Sequence, residues 1–486
     1  MTLERWSVHR YQMPHLHLHS IRKLSDALEV DSQRGVFRIS CDSAAGIDHE
    51  LLPMLESLRD PRNALWSAIQ RRDSGAAELL PMLRELDHVG LIRDCHGVDT
   101  GQTQQAIALA LRAWSADLGR DIALHGEAAG LLLRKLAERL AADSDGPLSL
   151  AMSEPSFPIL TIMLQARYLR ANAPSVLGLL IQGLLAAERR ARLGENGAWW
   201  NGIGQLPAWA EEDWLCGLIE PHTIAPYLAA AGALLRDVFG EGAARRAHSA
   251  RSEPGAALSG INFAIDLEGD VARVLADLGA SAALTAVADP LLAPRVVRAA
   301  FLQEYLVTCR FVECIAPLLS RRFAEPLRSA VHRYFEEEMG HEKFERENCL
   351  RLGISAEEID EALPMPLHLA FIDIITTLAA ESPITFFCAS MFTEGFIGGE
   401  DSIMSLAEQA FPHDPALLHQ IGHHVAVNDV ADHRGVGRDW MSHVPFVSPH
   451  LQSEVSEVLA YLAELNWRMW EQLVQTCAAE QAHGRQ

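Results

Sequence analysis

The sequence contains very little lysine and none of the paired-cysteine motifs that build zinc or redox sites. Only Lys23, Lys135 and Lys343 are present, so arginine supplies nearly all of the positive charge. The eight cysteines are scattered, with no Cys-x-x-Cys pair, which is typical of a reduced, cytosolic protein. We therefore expect a cytoplasmic location. The cysteines in apolar helical runs are predicted to be small buried hydrophobic residues: Cys309, Cys314 and Cys388.

The chain also lacks a basic surplus and long apolar segments. Its 41 Lys and Arg against 64 Asp and Glu give a formal net charge of −23, which argues against a nucleic-acid partner, because such partners are bound by basic surfaces. No run of about eighteen uncharged apolar residues occurs, so we expect no membrane span. The first residues do not follow a signal-peptide pattern. A length of 486 residues with 49% hydrophobic composition predicts two or three folded domains.

Residues 1–98 differ in pattern from the rest of the chain. A β-like run, Val36 to Ser40, is followed by three apolar helical segments and a closing β-like run near 89–92. The third segment, Ala77 to Leu86, has leucines at the i, i+1, i+4 and i+7 positions of a core-facing stripe. Strand, three helices and a closing strand predict a small winged-helix module.

The part from Val36 to Arg93 resembles the winged-helix peptide-recognition domains of ribosomal-peptide modification enzymes, which are relatives of the pyrroloquinoline-quinone peptide chaperone. The resemblance is carried by the apolar runs 50–55 and 83–92. It implies a module that docks a peptide substrate. The same residues also suit a homodimerisation arm, so both hypotheses stay open. An exposed β edge near Val36 to Ser40 would favour peptide docking by strand addition.

Residues 99–250 and 251–486 are predicted to form two further domains, both helical. Periodic Leu, Ala and Ile mark helices in the middle region, with Gly- and Pro-bearing breaks between them. The run 251–255 has the composition of a linker. In the last region the predicted helices are 258–279, 290–319, 322–349, 355–361, 364–380, 383–397, 401–410, 414–434 and 449–478.

Glu338 and His341 form a Glu-x-x-His pair inside the predicted helix 322–349. Positions i and i+3 share one face of a helix, so this carboxylate and imidazole can reach the same metal ion. Glu304 lies thirty-four residues upstream, in an apolar run where an unpaired buried carboxylate would be costly. Downstream, Asp429 and His433 lie four residues apart on another predicted helix. Inward-facing carboxylates and imidazoles of this kind build di-iron and di-manganese sites in helical bundles.

This arrangement is similar to that of the haem-oxygenase-like di-iron oxidases, in which a Glu, a Glu with a His, and a third helix with His, Asp and His hold two irons. The resemblance implies a haem-oxygenase-like bundle over 251–486, two Fe(II) ions, and O₂ as co-substrate. It further implies N-oxygenation, C–C cleavage or desaturation of an amino-acid-like group, in a natural product or a ribosomal peptide. The metal ligands that it implies are Glu304, Glu338, His341, His424, Asp429 and His433, all but His424 being assigned as catalytic.

The third helix departs from the family's spacing. Counting back from His433, the family pattern would require Asp at 430 and His at 426, which here are Val430 and Ala426. His424, Asp429 and His433 are instead spaced five and four, so a π-bulge would be needed to bring all three to one face. Asn428 and Asp432 offer a rival register, and the ligand set of this helix stays open.

Other hypotheses follow from the same residues. A ferritin-like di-iron bundle would use Glu394, thirty-five residues before Asp429, although the segment from Glu394 to His433 contains no second Glu-x-x-His pair. A haem enzyme would need only one histidine and would leave the carboxylates unexplained. A metal-free helical scaffold would carry its acidic clusters only as surface. Residues predicted to line a substrate cavity or to bind a substrate carboxylate are Thr308, Phe311, Arg310, Arg333 and Arg434.

Overall fold

In the computed structural model the chain is mainly helical with a small sheet-containing module at its N-terminus, as the sequence predicts. It divides into two compact units, Met1–Gln102 and Thr103–Gln486. The structure describes residues 14–24, 27–32, 35–40, 51–71, 79–88, 91–94, 100–142, 148–193, 224–239, 256–391, 394, 403–419, 421–422 and 435–483.

The described residues of the first unit form two small antiparallel sheets and three short helices. Strand β1 (Pro14–Leu16) pairs with β5 (Ile92–Asp94), and β2 (Ser20–Lys23), β3 (Ala27–Ser32) and β4 (Gly35–Ser40) form a sheet in that order. Between β4 and β5 the chain forms α1 (Leu52–Ser57), α2 (Ala64–Gln70) and α3 (Leu80–His88). Alternate strand residues and one side of each helix enclose a shared core, which includes Leu16, Leu28, Val30, Leu55, Trp66 and Leu83.

The predicted run 36–40, the three helices and the closing run correspond to β4, α1 to α3 and β5. Strand β5 pairs with β1 rather than with β4, and the sequence pattern did not reveal β1 to β3. Strands β1 and β2 have only three and four residues, and strands this short leave almost no periodic signal. The winged-helix assignment itself stays a prediction.

The rest of the described chain is helical. Its elements are α4 (Thr100–Ala123), α5 (Glu127–Ala142), α6 (Leu148–Met152), α7 (Phe157–Asn172), α8 (Pro174–Leu193), α9 (Ile224–Phe239), α10 (Gly260–Leu278), α11 (Ala282–Ala286), α12 (Ala293–Thr308), α13 (Phe311–Leu319), α14 (Glu325–Glu338), α15 (Glu342–Arg351), α16 (Ala356–Glu361), α17 (Pro366–Glu381), α18 (Pro383–Met391), α19 (Ile403–Ala410), α20 (Val436–Ser442) and α21 (Pro449–His483). None of the helices described is both long enough and apolar enough to cross a membrane.

Helices from both sides of the predicted boundary at residue 250 share one hydrophobic core. Leu160 of α7 and Leu228 of α9 belong to the same buried cluster as Ile372 of α17 and Leu462 of α21. Helix α17 is buried over most of its length, as expected for a helix that is apolar on all sides. The predicted linker 251–255 lies outside the described residues.

Two predicted long helices are each broken in the structure. The predicted helix 290–319 divides at Cys309 and Arg310 into α12 and α13. The predicted helix 322–349 divides into α14 and α15 because Gly340 takes a φ of 102°, a left-handed conformation that ends a helix and suits glycine. Cys314 and Cys388 are buried as predicted, whereas Cys309 is exposed because it caps the end of α12.

Replacing Gly340 with alanine should lower the free energy of unfolding by about 1 kcal/mol, because an L-residue is strained at this φ. A methyl group there would meet only the end of the Lys343 side chain at 3.5 Å, so the effect would come from the backbone and not from a clash. The matched control is Gly269→Ala at an exposed position of α10, where added helix propensity should stabilise by up to about 1 kcal/mol. A urea midpoint unchanged by Gly340→Ala would contradict the assigned conformation.

Candidate metal centre

Helices α12 and α15 pack antiparallel and set the frame of the site. Nη2 of Arg298 donates to the carbonyl oxygen of Gly353 at 3.0 Å, and Sγ of Cys349 lies 3.4 Å from the carbonyl oxygen of Phe301. This register places the last turn of α12, including Glu304, level with the turn of α15 that spans residues 345–348. The interface is apolar toward Phe301 and polar toward the other end.

Glu338 and His341 meet although they do not share a helix. Glu338 is the last residue of α14, and His341 is the N-cap of α15. The turn at Gly340 nevertheless brings Nδ1 of His341 to 3.0 Å from Oε2 of Glu338. Both are buried, with 5% and 7% of their surface exposed. The predicted proximity is therefore confirmed, while the predicted cause, a continuous helical face, is wrong.

Glu345 and Asn348 extend this buried polar surface along α15. They lie four and seven residues after His341, on the side of the helix that faces the protein interior. Asn348 is only 1% exposed, and neither its Oδ1 nor its Nδ2 has a hydrogen-bond partner in the described part of the chain. Burying an unsatisfied amide costs about 1–3 kcal/mol. This position is therefore suited to a further polar ligand.

Tyr334 connects Glu338 to a second carboxylate. Its Oη donates to Oε1 of Glu394 at 2.9 Å. Burial, then the charges of Glu394 and Glu338 and hydrogen bonds to both carboxylates, hold the pKa of Tyr334 well above 10, so the phenol stays protonated. The ring is fixed by edge-on contacts with Phe311 and Trp440. The Tyr334 phenol therefore bridges Glu338 and Glu394, which is the additional ligand of the ferritin-like alternative.

Glu304 differs from the expectation. It follows Val297 and Phe301 on the buried face of α12, but it is itself exposed, so the predicted burial of this carboxylate is wrong. The physical reason is its position in the last turn of α12, where the apolar packing against α15 ends. Glu304, Glu338, His341, Glu345 and Glu394 each take part in further polar, ionic or ring interactions.

The other predicted ligands, His424, Asp429 and His433, lie outside the described residues, as do the rival positions Asn428 and Asp432. Within the described ranges, no three His, Cys, Asp or Glu side chains form a group that could hold a metal ion. What the described residues supply is one buried carboxylate–imidazole pair. Glu345 and Asn348 lie one and two turns further along α15, and Glu394 is joined to the pair only through Tyr334.

Arg310 is engaged elsewhere and not available for a substrate carboxylate. Its Nη2 lies 3.0 Å from Oδ1 of fully buried Asp373 and donates to Oη of Tyr168 at 2.8 Å. Nε2 of Gln165 and Oη of Tyr227 also donate to Asp373, each at 3.3 Å. This network joins α7, α9 and α17 inside the shared core.

The remaining candidates for the substrate cavity differ in their surroundings. Phe311 is buried against the Tyr334 ring and so lies beside the site. Thr308 is half-buried at the end of α12. Arg333 is exposed, with Nη2 at 3.5 Å from Oδ2 of Asp439. Arg434 lies outside the described residues.

Tyr334, Glu345 and Asn348 were missed by reasoning from the sequence. The spacing of Glu338, His341, Glu345 and Asn348 is three, four and three residues, which is the spacing of a single helical stripe. Polar residues at the spacing of a buried helical face were therefore the pattern that could have predicted Glu345 and Asn348 from the sequence. It was obscured by the many acidic residues on the other faces of the same segment.

No family model matches the chain. No curated protein matches it either. Among solved structures, the chain is similar to a domain of unknown function with a heme oxygenase-like fold from Shewanella denitrificans, with a TM-score of 0.39 and 17% identity, over 45% of this chain and 94% of that one. A likeness at this level contributes nothing to the assignment of a metal or a substrate.

Proposed function

We propose that the second unit is a non-haem di-iron, O₂-dependent oxidase or oxygenase that acts on an amino-acid-like group. The observation that carries the proposal is the buried Glu338–His341 pair, with Nδ1 and Oε2 3.0 Å apart. A carboxylate and an imidazole would both be suited to Fe(II). His424, Asp429 and His433 would complete the ligand set, with Glu394 as a further carboxylate.

The residues present fit a metal ion in their chemistry. Glu345 and Asn348 offer a carboxylate and an amide one and two turns further along α15, and the unpartnered amide of Asn348 is an orphaned polar group that a bound ion or its water would satisfy. Glu304 would have to turn inward from its exposed position to bind. When bound, the irons would supply the redox chemistry that activates O₂.

The chain's own groups would position and shield that centre. The protonated Tyr334 phenol would fix the orientation of Glu394 and Glu338, as hydrogen bonds from outer residues do at metal sites. Phe311 and Trp440, which hold the Tyr334 ring, would exclude water from one side of it. The substrate's chemical class, N–H or C–H, is the part of this proposal that rests on the resemblance alone.

Anaerobic loading of the full-length chain with Fe(II) tests the proposal. Metal analysis after desalting should give two irons per chain, and admission of O₂ should change the optical spectrum and consume oxygen. Chain that retains no iron after this treatment would favour a metal-free scaffold. Retention of haem instead of iron ions would favour the haem alternative.

We infer a second function, peptide docking, for the first unit. Strand β4 pairs with β3 only, among the strands described. Ser32 pairs with Gly35 across a two-residue connection, so alternation of the ladder directs the backbone groups of Val36 and Ser40 to the open edge. Phe37 and Ile39 face the core, and Val36 is 62% exposed. An open, regular edge strand is suited to the addition of an extended peptide.

Replacing Val36 with proline should weaken peptide binding at least tenfold, because it removes an edge N–H that an added strand would use. Val36→Ala retains that N–H and is the matched control. The measurement is titration of a labelled peptide substrate, with iron content unchanged in both variants. If Val36→Pro instead converts a dimer to a monomer in sedimentation, the edge is a dimerisation surface and the docking proposal is wrong.

A further inference from the structure

A cavity of about 830 Å³ opens on the outer side of α14. Its lining residues on that helix recur at spacings of three and four, from Glu325 through Ser329 and His332 to Glu336, so they form one helical face. Tyr334 and Glu338 are buried on the other side of the same helix. The cavity is therefore separate from the proposed metal centre.

The lining of the cavity has a net positive charge, whereas the whole chain has a net negative charge. Four arginines and two glutamates line it, which leaves a charge of +2 before His332 is counted, in a chain whose net charge is −23. The arginines are Arg321, Arg322, Arg328 and Arg333. A concave surface with a net positive charge concentrates anionic ligands.

Two of these arginines have no ion-pair partner among the residues that the structure describes. Arg328 pairs with Glu325 one turn earlier, and Arg333 lies 3.5 Å from Asp439. Arg321 instead donates to the main-chain carbonyl of Ala380, which fixes its position without neutralising it. Arg322 is exposed and forms no ion pair with any residue that the structure describes. Two consecutive guanidinium groups thus border the cavity, and neither has a carboxylate partner in the described part of the chain.

We propose that this cavity binds a small molecule that carries two or more negative charges, of the phosphate-ester or polycarboxylate class. The planar guanidinium fork pairs with phosphate and carboxylate oxygens in two parallel hydrogen bonds. The volume lies in the range of about 300–1,000 Å³ that is usual for small-molecule sites. A ligand that contacts both Arg321 and Arg322 and also fills the rest of the cavity must be larger than a single inorganic ion.

Calorimetric titration of the full-length protein with fructose 1,6-bisphosphate and, separately, with tricarballylate tests the proposal. One of the two anions should bind, and which one does so distinguishes a phosphate ester from a polycarboxylate. Arg321→Gln/Arg322→Gln should weaken that binding by about tenfold or more, because two charge-assisted contacts are lost. Arg322→Gln alone should weaken it several-fold, and it disturbs no contact described for Arg322.

The controls separate this site from general electrostatics and from the metal centre. Arg298→Gln removes an arginine that, like Arg321, donates to a main-chain carbonyl, and Arg112→Gln removes an exposed arginine of α4. Both variants, and Glu338→Gln, should bind the anion within about twofold of the wild type. The proposal is overturned if neither anion binds at about 1 mM. It is also overturned if the control variants lose as much affinity for the anion as the Arg321 and Arg322 variants do.

Discussion

If the proposed iron centre is present, replacing Glu338 with glutamine is expected to lower iron affinity by about 100-fold or more and to abolish O₂ consumption, because a proposed carboxylate ligand becomes a neutral amide. The substitution preserves shape, so the fold and the Tyr334 contact should be retained. Iron content after anaerobic loading, measured beside far-UV circular dichroism, gives the result. His341→Asn should have a comparable effect, since it removes the imidazole that lies 3.0 Å from Glu338.

The matched control for these variants is Glu336→Gln. Glu336 lies on the same helix but on the exposed side, so iron binding should be unchanged. Glu304→Gln tests whether Glu304 is a metal ligand. Loss of one iron would show that Glu304 turns inward to bind, whereas full retention would remove it from the ligand set. Iron binding undiminished in Glu338→Gln would contradict the proposed centre.

Replacing Asp373 with alanine is expected to lower the free energy of unfolding at neutral pH by about 3–5 kcal/mol. The substitution leaves the largely buried Arg310 guanidinium, together with Gln165 and Tyr227, without a shared acceptor. The matched control is Asp439→Ala, whose partner Arg333 is 65% exposed, and which should cost no more than about 1 kcal/mol. Urea titrations give both values.

The pH dependence of the same variant has a defined sign. Burial raises the pKa of Asp373, and the charge of Arg310 and the hydrogen bonds from Arg310, Gln165 and Tyr227 lower it. Burial has the larger effect, so the pKa is raised to about 6. A pKa raised in the folded state means that the contribution to stability is full below the unfolded pKa, near 3.9, and is lost as the pH rises through 6. The cost of Asp373→Ala should therefore fall by about 2 kcal/mol between pH 4 and pH 7. A cost that rises over this range would contradict the assigned shift.

The sequence predicts the helical part of the fold well because its signals are local and long. Helix α18 begins at Pro383, as predicted, and the boundaries of α10 and α16 agree within two residues. The breaks at Cys309–Arg310 and at Gly340 were not predicted. A single glycine in an otherwise helical pattern is usually tolerated, so only its φ reveals that the helix ends there.

The site was predicted in part. Glu338 and His341 were found from their spacing, which survives the break between α14 and α15. Tyr334 and Glu394 meet across sixty residues, a contact that no local pattern contains. Glu304 was misjudged because burial was inferred from apolar neighbours along the helix, whereas its exposure depends on the tertiary packing around the last turn of α12.

Mössbauer spectroscopy of the full-length chain loaded anaerobically with ⁵⁷Fe(II) and then exposed to O₂ tests the central claim most directly. We predict two irons per chain that become an antiferromagnetically coupled, diamagnetic Fe(III) pair, and we predict that this signal is absent from the Glu338→Gln variant. A single uncoupled iron, or a coupled pair that persists in Glu338→Gln, would contradict a di-iron centre built on Glu338 and His341.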